Sequence, residues 1–335
     1  MAAEMAEQPQ VIAALAGRRQ ELVERISSIL PDDLSGIVLL ARGSSDHAAV
    51  YGRYVLELAS RRPVSLAAPS LHTLYGAEVD YRGYLAVAVS QSGRTPEIVT
   101  VLERMRAGGA RCLAVTNSLD SPLANSADAV LELGAGVEEA VPATKTFSAQ
   151  IVGFALIAEA LGAVPWDGPD WERLRAHVEH VLGDDGPARH LATTIGNAEG
   201  LLTVGRGFLY SAALEAALKL KETTSILAEG YSSADLRHGP IAVATGGLPV
   251  VAFVVPGPAS PDMHELMDWL DRRGARVFAV SEEAGAALPL PRGLPEALVV
   301  VPAIVRAQQL ALWLARHRGI DPDIPAGLSK VTLTQ

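Results

Sequence analysis

One cysteine, Cys112, is all that the 335 residues contain, so no disulfide and no cysteine-based zinc site can form within the chain. It lies in the apolar run Cys112-Leu113-Ala114-Val115 and reads as a buried structural thiol. Positive charge is also short. Lys and Arg number 28 against 38 Asp and Glu, a net charge of −10, which excludes the Lys/Arg surplus that sequence-independent nucleic-acid binding requires. The opening Met-Ala-Ala-Glu-Met-Ala-Glu lacks the basic-then-apolar order of a signal peptide. No apolar run is read as reaching the roughly 18 residues of a membrane span, so the expectation is a cytoplasmic protein with no membrane or nucleic-acid partner. Gly205-Arg206-Gly207 is followed by Phe208-Leu209-Tyr210, so a dinucleotide fingerprint lacks its third glycine and no nicotinamide cofactor is expected.

What is present is a duplication. Residues 36–43, Gly-Ile-Val-Leu-Leu-Ala-Arg-Gly, reappear 164 positions on as Gly-Leu-Leu-Thr-Val-Gly-Arg-Gly at 200–207. Gly109-Ala110-Arg111-Cys112-Leu113-Ala114-Val115 returns 165 positions on as Gly274-Ala275-Arg276-Val277-Phe278-Ala279-Val280. Each half therefore reads as strand, glycine turn, helix, second strand (85–89 or 250–255), helix and third strand. The fold class predicted is α/β, with each copy a doubly wound parallel sheet flanked by helices, the flavodoxin-like three-layer sandwich. Pro96 and Glu97 open a helix with Ile98, Val101, Leu102 and Met105 on one face, ended by Gly108-Gly109. The expected division is a helical segment over 1–30, domains over 31–162 and 196–335, and a helical linker over 163–195.

The copies differ where chemistry would sit. Residues 90–96, Ser-Gln-Ser-Gly-Arg-Thr-Pro, follow an apolar strand and precede a helix, the crevice where such sheets bind ligands. The hydroxyls of Ser90, Ser92 and Thr95, the Gln91 amide and the N–H groups of the helix start can all donate to a phosphate. The second copy has Val255-Pro256-Gly257-Pro258 there, which removes hydroxyls and N–H donors and favours a phosphate cradle in the first copy alone. Ser44 and Ser45, after the first strand, add hydroxyls for the same anion or for sugar hydroxyls, with Asp46 read as a helix cap and His47 as solvated. In the second copy Glu215, Lys219 and Glu222 fall on one helix face at i, i+4 and i+7. Further on, 228–240 is a polar segment holding His238, a candidate acid or base. Each feature also has a plain structural reading: capping hydroxyls, a surface ion-pair ladder, a solvated loop histidine.

Taken together the motifs resemble the sugar isomerase (SIS) domain family. They are Ala-Arg-Gly-Ser-Ser-Asp-His (41–47), Ser-Gln-Ser-Gly-Arg-Thr-Pro (90–96), Ala-Thr-Lys-Thr-Phe (143–147), Leu-Lys-Leu-Lys-Glu (218–222), His-Gly-Pro (238–240) and Leu-Ser-Lys-Val-Thr (328–332). The chain is similar to the isomerase half of glucosamine-6-phosphate synthase, and to stand-alone SIS-type glucosamine-6-phosphate deaminases. The resemblance implies two tandem SIS domains, with Ser45, Ser90, Gln91, Ser92 and Thr95 holding the phosphate. Glu222 would be the base at C2, with Lys219 checking a burial-raised pKa. His238 would open the sugar ring from a neighbouring subunit, hence a homodimer. Lys330 would lie on a tail that covers the ligand, Glu138 near the substrate nitrogen, and Arg42, Ser44, Ala143 and Glu215 around the sugar. No metal is required. The chain departs from the synthase in lacking an N-terminal catalytic cysteine, in Arg94 where the synthase has Glu, and in Ala143 where it has Ser.

Three activities follow as expectations. The leading one is an isomerising deaminase that turns glucosamine 6-phosphate into fructose 6-phosphate and ammonia. The second is a dehydratase of N-acetylglucosamine 6-phosphate that loses the C3 hydroxyl after the same C2 deprotonation. The third is a sugar-phosphate sensor without catalysis, disfavoured by the joint presence of Glu222, His238 and Lys330.

Overall fold

The computed structural model describes residues 1–325 and 327–330; Val331 and Thr332 of the C-terminal motif, and the rest of the expected tail to 335, lie outside the described residues. In chain order, helices α1 (Ala2–Ala6), α2 (Gln8–Gly17) and α3 (Arg19–Ser27) precede β1 (Gly36–Leu40), α4 (Ser44–Ser60), β2 (Val64–Leu66) and α5 (Pro69–Thr73). Next come β3 (Tyr84–Val89), α6 (Pro96–Ala107), β4 (Arg111–Thr116), α7 (Pro122–Asn125), β5 (Ala129–Glu132) and α8 (Lys145–Leu161). The second half holds α9 (Gly168–Gly183), α10 (Gly186–Thr194), β6 (Gly200–Gly205), α11 (Leu209–Thr224), β7 (Leu227–Ser232) and α12 (Ser233–Arg237). It continues with β8 (Pro249–Phe253), α13 (Ser260–Arg272), β9 (Arg276–Ser281), β10 (Leu288–Pro289) and α14 (Glu296–His317).

The strands form two five-stranded sheets, ordered β2-β1-β3-β4-β5 and β10-β9-β8-β6-β7, parallel throughout. Read from the other edge, the second order repeats the first. The duplication extends to backbone detail. Gly43 and Gly207, which turn β1 and β6 into the following helices, both have φ +59, and those helices end on left-handed non-glycine residues, Arg61 (φ 55) and Ser225 (φ 57).

Both cores use the same positions. Ile98, Val101 and Met105 of α6 pack on Val38, Ala86 and Ala88; Met263, Leu266 and Leu270 of α13 pack on Leu202, Val250 and Ala252. Each large apolar side chain so buried contributes about 1.5–3 kcal/mol relative to exposure. The Cys112 thiol is pushed up to about 12 by burial and the neighbouring Asp128 charge, as an inert core group should be.

Three strands per half were expected and five are found. All four additions, β2, β5, β7 and β10, are edge strands. They are short or half-exposed and lack the continuous apolar run that marks a strand buried on both faces. The polar segment 228–240 is accordingly not one loop: β7 and α12 occupy 227–237.

One apolar stretch is longer than the sequence suggested. Helix α14, 22 residues long, contains an 18-residue stretch of mean hydropathy 1.6 and is long and apolar enough to cross a membrane, but 94% of that stretch is buried inside the protein. It also carries Arg306, Gln308 and Gln309, all buried, with the Arg306 guanidinium donating to the carbonyls of Pro289 and Asp184. It is a core helix.

The compact units interleave where the sequence reading drew linear boundaries. The first unit comprises Gln10–Glu138 and Lys145–Asp167, and the second comprises Met1–Pro9, Glu139–Thr144 and Gly168–Lys330.

Candidate active site

In the first unit β1 and β3 are neighbours whose following turns leave the sheet at the point where strand order reverses. The turn after β1 starts α4. Gly43 is its N-cap residue, so Asp46 lies inside the first turn and is not the cap. Burial pushes the Asp46 carboxyl up against the opposing charges of His47 and Arg42. Ser45 is buried and its Oγ accepts from Gln150 Nε2 at 3.0 Å, which leaves the Ser45 proton to be donated elsewhere. Ser44, half-buried, is the first residue of the helix.

The turn after β3 is fixed by its glycine. Gly93 has φ +61, and a Cβ there would stand 2.2 Å from Ser121 Oγ and 2.9 Å from Thr116 Oγ1. Its N–H donates to Ser90 Oγ at 3.2 Å, the Arg94 N–H donates to Ser92 Oγ at 3.2 Å, and the Gln91 carbonyl accepts from the Asn117 N–H at 3.1 Å. Thr95 occupies the N-cap position of α6 without a side-chain cap hydrogen bond; its Oγ1 turns instead to within 3.4 Å of Ser90 Oγ. The capping reading of these hydroxyls therefore fails at Thr95. Ser90 and Thr95 converge at the start of a twelve-residue helix, whose amide groups and dipole favour an anion.

Arg42 is engaged on the protein. Its Nε and Nη2 make a fork with the buried Glu97 carboxylate at 2.9 and 3.0 Å, which ties the two turns together. The matching positions in the second copy are Arg206 and Asp262, but there the Asp262 carboxylate pairs with Arg237 at 2.5 Å. Burial pushes the Asp262 carboxyl up, but hydrogen bonds from Ser233 and Arg237 and the charges of Arg237 and Arg206 hold it below its usual value. Glu138, 4% exposed, accepts from the Thr146 N–H at 3.2 Å and from Thr146 Oγ1 at 2.6 Å, at the start of α8. The adjoining Lys145 ammonium is fully buried.

In the second unit the face of α11 that carries charge points inward. Glu215 and Lys219 are 0% exposed, while Leu214 and Leu218 are only half-buried. The surface-ladder reading is thus overturned. Lys219 Nζ lies 3.3 Å from Glu215 Oε1 and 2.5 Å from Glu222 Oε2. Burial would push the Lys219 ammonium down, but the Glu215 and Glu222 carboxylates outweigh it and hold its pKa above the usual lysine value. Of the three side chains only Glu222 reaches the surface, at 18%. The matching positions of α4 are Tyr51, Val55 and Leu58, so the first copy has no such cluster.

His238 is the exposed C-cap residue of α12, its N–H donating to the Asp235 carbonyl at 3.1 Å. Lys330 Nζ donates to the Ala140 carbonyl at 2.6 Å, and Ala143 is half-buried in the same 139–144 segment. At the mouth of the second sheet the crevice is filled from within. The Glu296 carboxylate lies 2.4 Å from where a Cβ on Gly257 would stand and 3.9 Å from one on Gly207, against the turns that follow β8 and β6. Burial pushes that carboxyl up. The sequence reading missed Glu97, Gln150 and Glu296. An acidic residue in the first turn of a helix was the only available signal for Glu97 and Glu296, and nothing marked Gln150.

Comparison with known proteins agrees with this architecture. The SIS domain family matches residues 35–160 and 194–289. The glutamine–fructose-6-phosphate aminotransferase (isomerizing) of Methanothermobacter thermautotrophicus is 32% identical over 338 residues, covering 98% of this chain and 56% of that protein. The chain thus spans little more than half the length of that relative. A Silicibacter pomeroyi crystal structure, assigned provisionally as a phosphosugar isomerase, superposes with TM-score 0.88 at 34% identity, covering 96% of this chain and 99% of the other. Glucosamine-6-phosphate deaminase from Thermotoga maritima superposes with TM-score 0.75 over 98% of this chain and 100% of the other, and at 23% identity the likeness is one of fold.

Proposed function

Since the chain belongs to the SIS domain family, we propose that it is an isomerising deaminase of glucosamine 6-phosphate, yielding fructose 6-phosphate and ammonia. The observation that carries this reading is the buried Glu215-Lys219-Glu222 cluster, which leaves one carboxylate, that of Glu222, in reach of a ligand. A cluster of this cost in desolvation is retained in one copy and absent from the other, as a functional group would be.

In the mechanism the hydroxyls of Ser45, Ser90 and Thr95, with Ser92 and Gln91, hold the phosphate at the start of α6. Gln150 directs the Ser45 proton toward the anion, and Arg42 with Glu97 keeps the two turns in register. His238 transfers the proton that opens the sugar ring. Its exposure supports delivery to the site of a second copy, in a homodimer. Glu222 then removes the proton from C2 as the C1 carbonyl oxygen takes up a proton, giving an enolamine; return of the first proton to C1 forms a C1–H bond and leaves the nitrogen as an iminium on C2. Water adds to C2, the C–N bond breaks and ammonia leaves. Lys219 holds Glu222 as the carboxylate that must accept the first proton. Glu138 is assigned to the substrate nitrogen, Ser44, Ala143 and Glu215 to the surroundings of the sugar, and Lys330 to closure over the ligand. The cytoplasm is the assigned compartment.

The test is incubation of the purified protein with glucosamine 6-phosphate and, separately, N-acetylglucosamine 6-phosphate, following ammonia and the proton NMR spectrum. Ammonia with fructose 6-phosphate from the free amine supports the deaminase. A vinylic signal from the acetylated sugar without ammonia replaces it with the dehydratase, and binding of both without turnover replaces it with a sensor.

A further inference from the structure

The helical segment before the first strand contributes no residue to the proposed chemistry, yet it contains a carboxylate that is 7% exposed. Glu4, in α1, accepts the backbone N–H groups of Glu139 and Ala140 on one oxygen, at 2.5 and 3.0 Å. Its other oxygen pairs with the Met1 ammonium at 3.0 Å. Two N–H donors on one buried carboxylate oxygen form a strong, charge-assisted contact.

Residue Ala140 is therefore gripped on both sides of its Cα. Its N–H goes to Glu4, and its carbonyl receives Lys330 Nζ at 2.6 Å. One residue on, the Val141 N–H donates to the Asp323 carbonyl at 3.0 Å, which ties the same short strap to the segment that leads to Lys330. These groups all lie in the second unit. Residues 139–144 contain no helix or strand, so the backbone of the strap has no ladder to hold it and depends on such side-chain anchors.

We propose that Glu4 is a positioning residue, which fixes the backbone entering Ala140 so that the Ala140 carbonyl holds the Lys330 ammonium in the place the reaction needs. This rests on the reading that Lys330 serves the sugar-phosphate reaction. Glu4 touches neither substrate nor reacting atoms. Its effect runs through one residue, across the two peptide groups that meet at the Ala140 Cα, and a misplacement of about 1 Å at a catalytic group can cost up to about 10²-fold in rate.

The experiment compares wild type, Glu4→Ala, Glu4→Gln, Lys330→Ala and the Glu4→Ala/Lys330→Ala double variant. Ammonia release from glucosamine 6-phosphate and deuterium uptake by the 139–144 peptide are followed in each. Glu4→Ala is expected to lower kcat/KM by up to about 10²-fold and to speed exchange in the strap. Glu4→Gln, which keeps an acceptor oxygen, is expected to fall between it and wild type. The double variant is expected to be no worse than Lys330→Ala alone, since the anchor has nothing left to position. Additive losses in the double variant, or unchanged exchange in Glu4→Ala beside an impaired Lys330→Ala, overturn the positioning role and leave the reading of Lys330 standing. A silent Lys330→Ala overturns both. If Glu4→Ala fails to fold, the same comparison is made with Glu4→Gln, for which additivity is equally fatal.

Discussion

Lys219 stands between two carboxylates of its own helix but does not treat them alike: Glu222, at 2.5 Å, is the one that reaches the surface, and Glu215, at 3.3 Å, does not. A buried cation that neutralises one acid and fixes another is what a carboxylate base needs when it must stay ionised beside a carbon acid.

Replacing Lys219 by Met removes that cation from two acids, one of them fully buried. Breaking a buried pair costs about 3–5 kcal/mol, and chemical denaturation at neutral pH measures the loss. Because the folded pKa of Lys219 is raised, its contribution is fully present below the unfolded lysine value of about 10.4 and is lost as pH rises through the folded value. Wild type should lose stability in that alkaline window, and Lys219→Met should lack this component of the loss.

Gly93→Ala tests the cradle. The left-handed backbone and a Cβ that would stand 2.2 Å from Ser121 Oγ leave no room for the methyl group without moving the turn. A strain of about 1–3 kcal/mol is expected, together with weaker competitive inhibition by inorganic phosphate. Ser90→Ala should weaken the same inhibition with little change in stability. Inhibition by phosphate that survives both variants would place the anion elsewhere.

Glu296→Gln makes the opposite prediction for stability. A carboxyl whose folded pKa is raised stabilises the fold below its unfolded value and loses that contribution as pH rises through the folded one. The isosteric amide should therefore be more stable than wild type at pH 7 and indistinguishable from it near pH 3. Equal melting temperatures at pH 7 would remove the account of Glu296 as a disfavoured charge filling the second crevice.

Much of this was legible in the sequence because the duplication was. Two repeats at nearly one offset located the central strands of both sheets and the helices that follow them, since strands buried on both faces are continuous apolar runs. The edge strands were hidden because a strand such as Ala129–Glu132, half-covered and four residues long, carries too few residues to set a pattern. The hydroxyl turn 90–95 was visible through its contrast with Val255-Pro256-Gly257-Pro258. The burial of Glu215 and Lys219 was not, because spacing places side chains on one face without saying which way that face points, and here the charges face inward. Gln150 and Glu4 escaped for a different reason: each acts on a partner more than 100 residues away, Ser45 and Ala140, and no local pattern encodes such a contact.

The most direct test of the central claim is a single-turnover reaction of glucosamine 6-phosphate with wild type and with Glu222→Gln, measured beside the affinity of each for the sugar phosphate. The account predicts ammonia and fructose 6-phosphate from wild type, a rate about 10²–10⁴-fold lower in Glu222→Gln, and similar binding by both. Wild-type turnover that survives Glu222→Gln, or tight binding by wild type with no product, would contradict it.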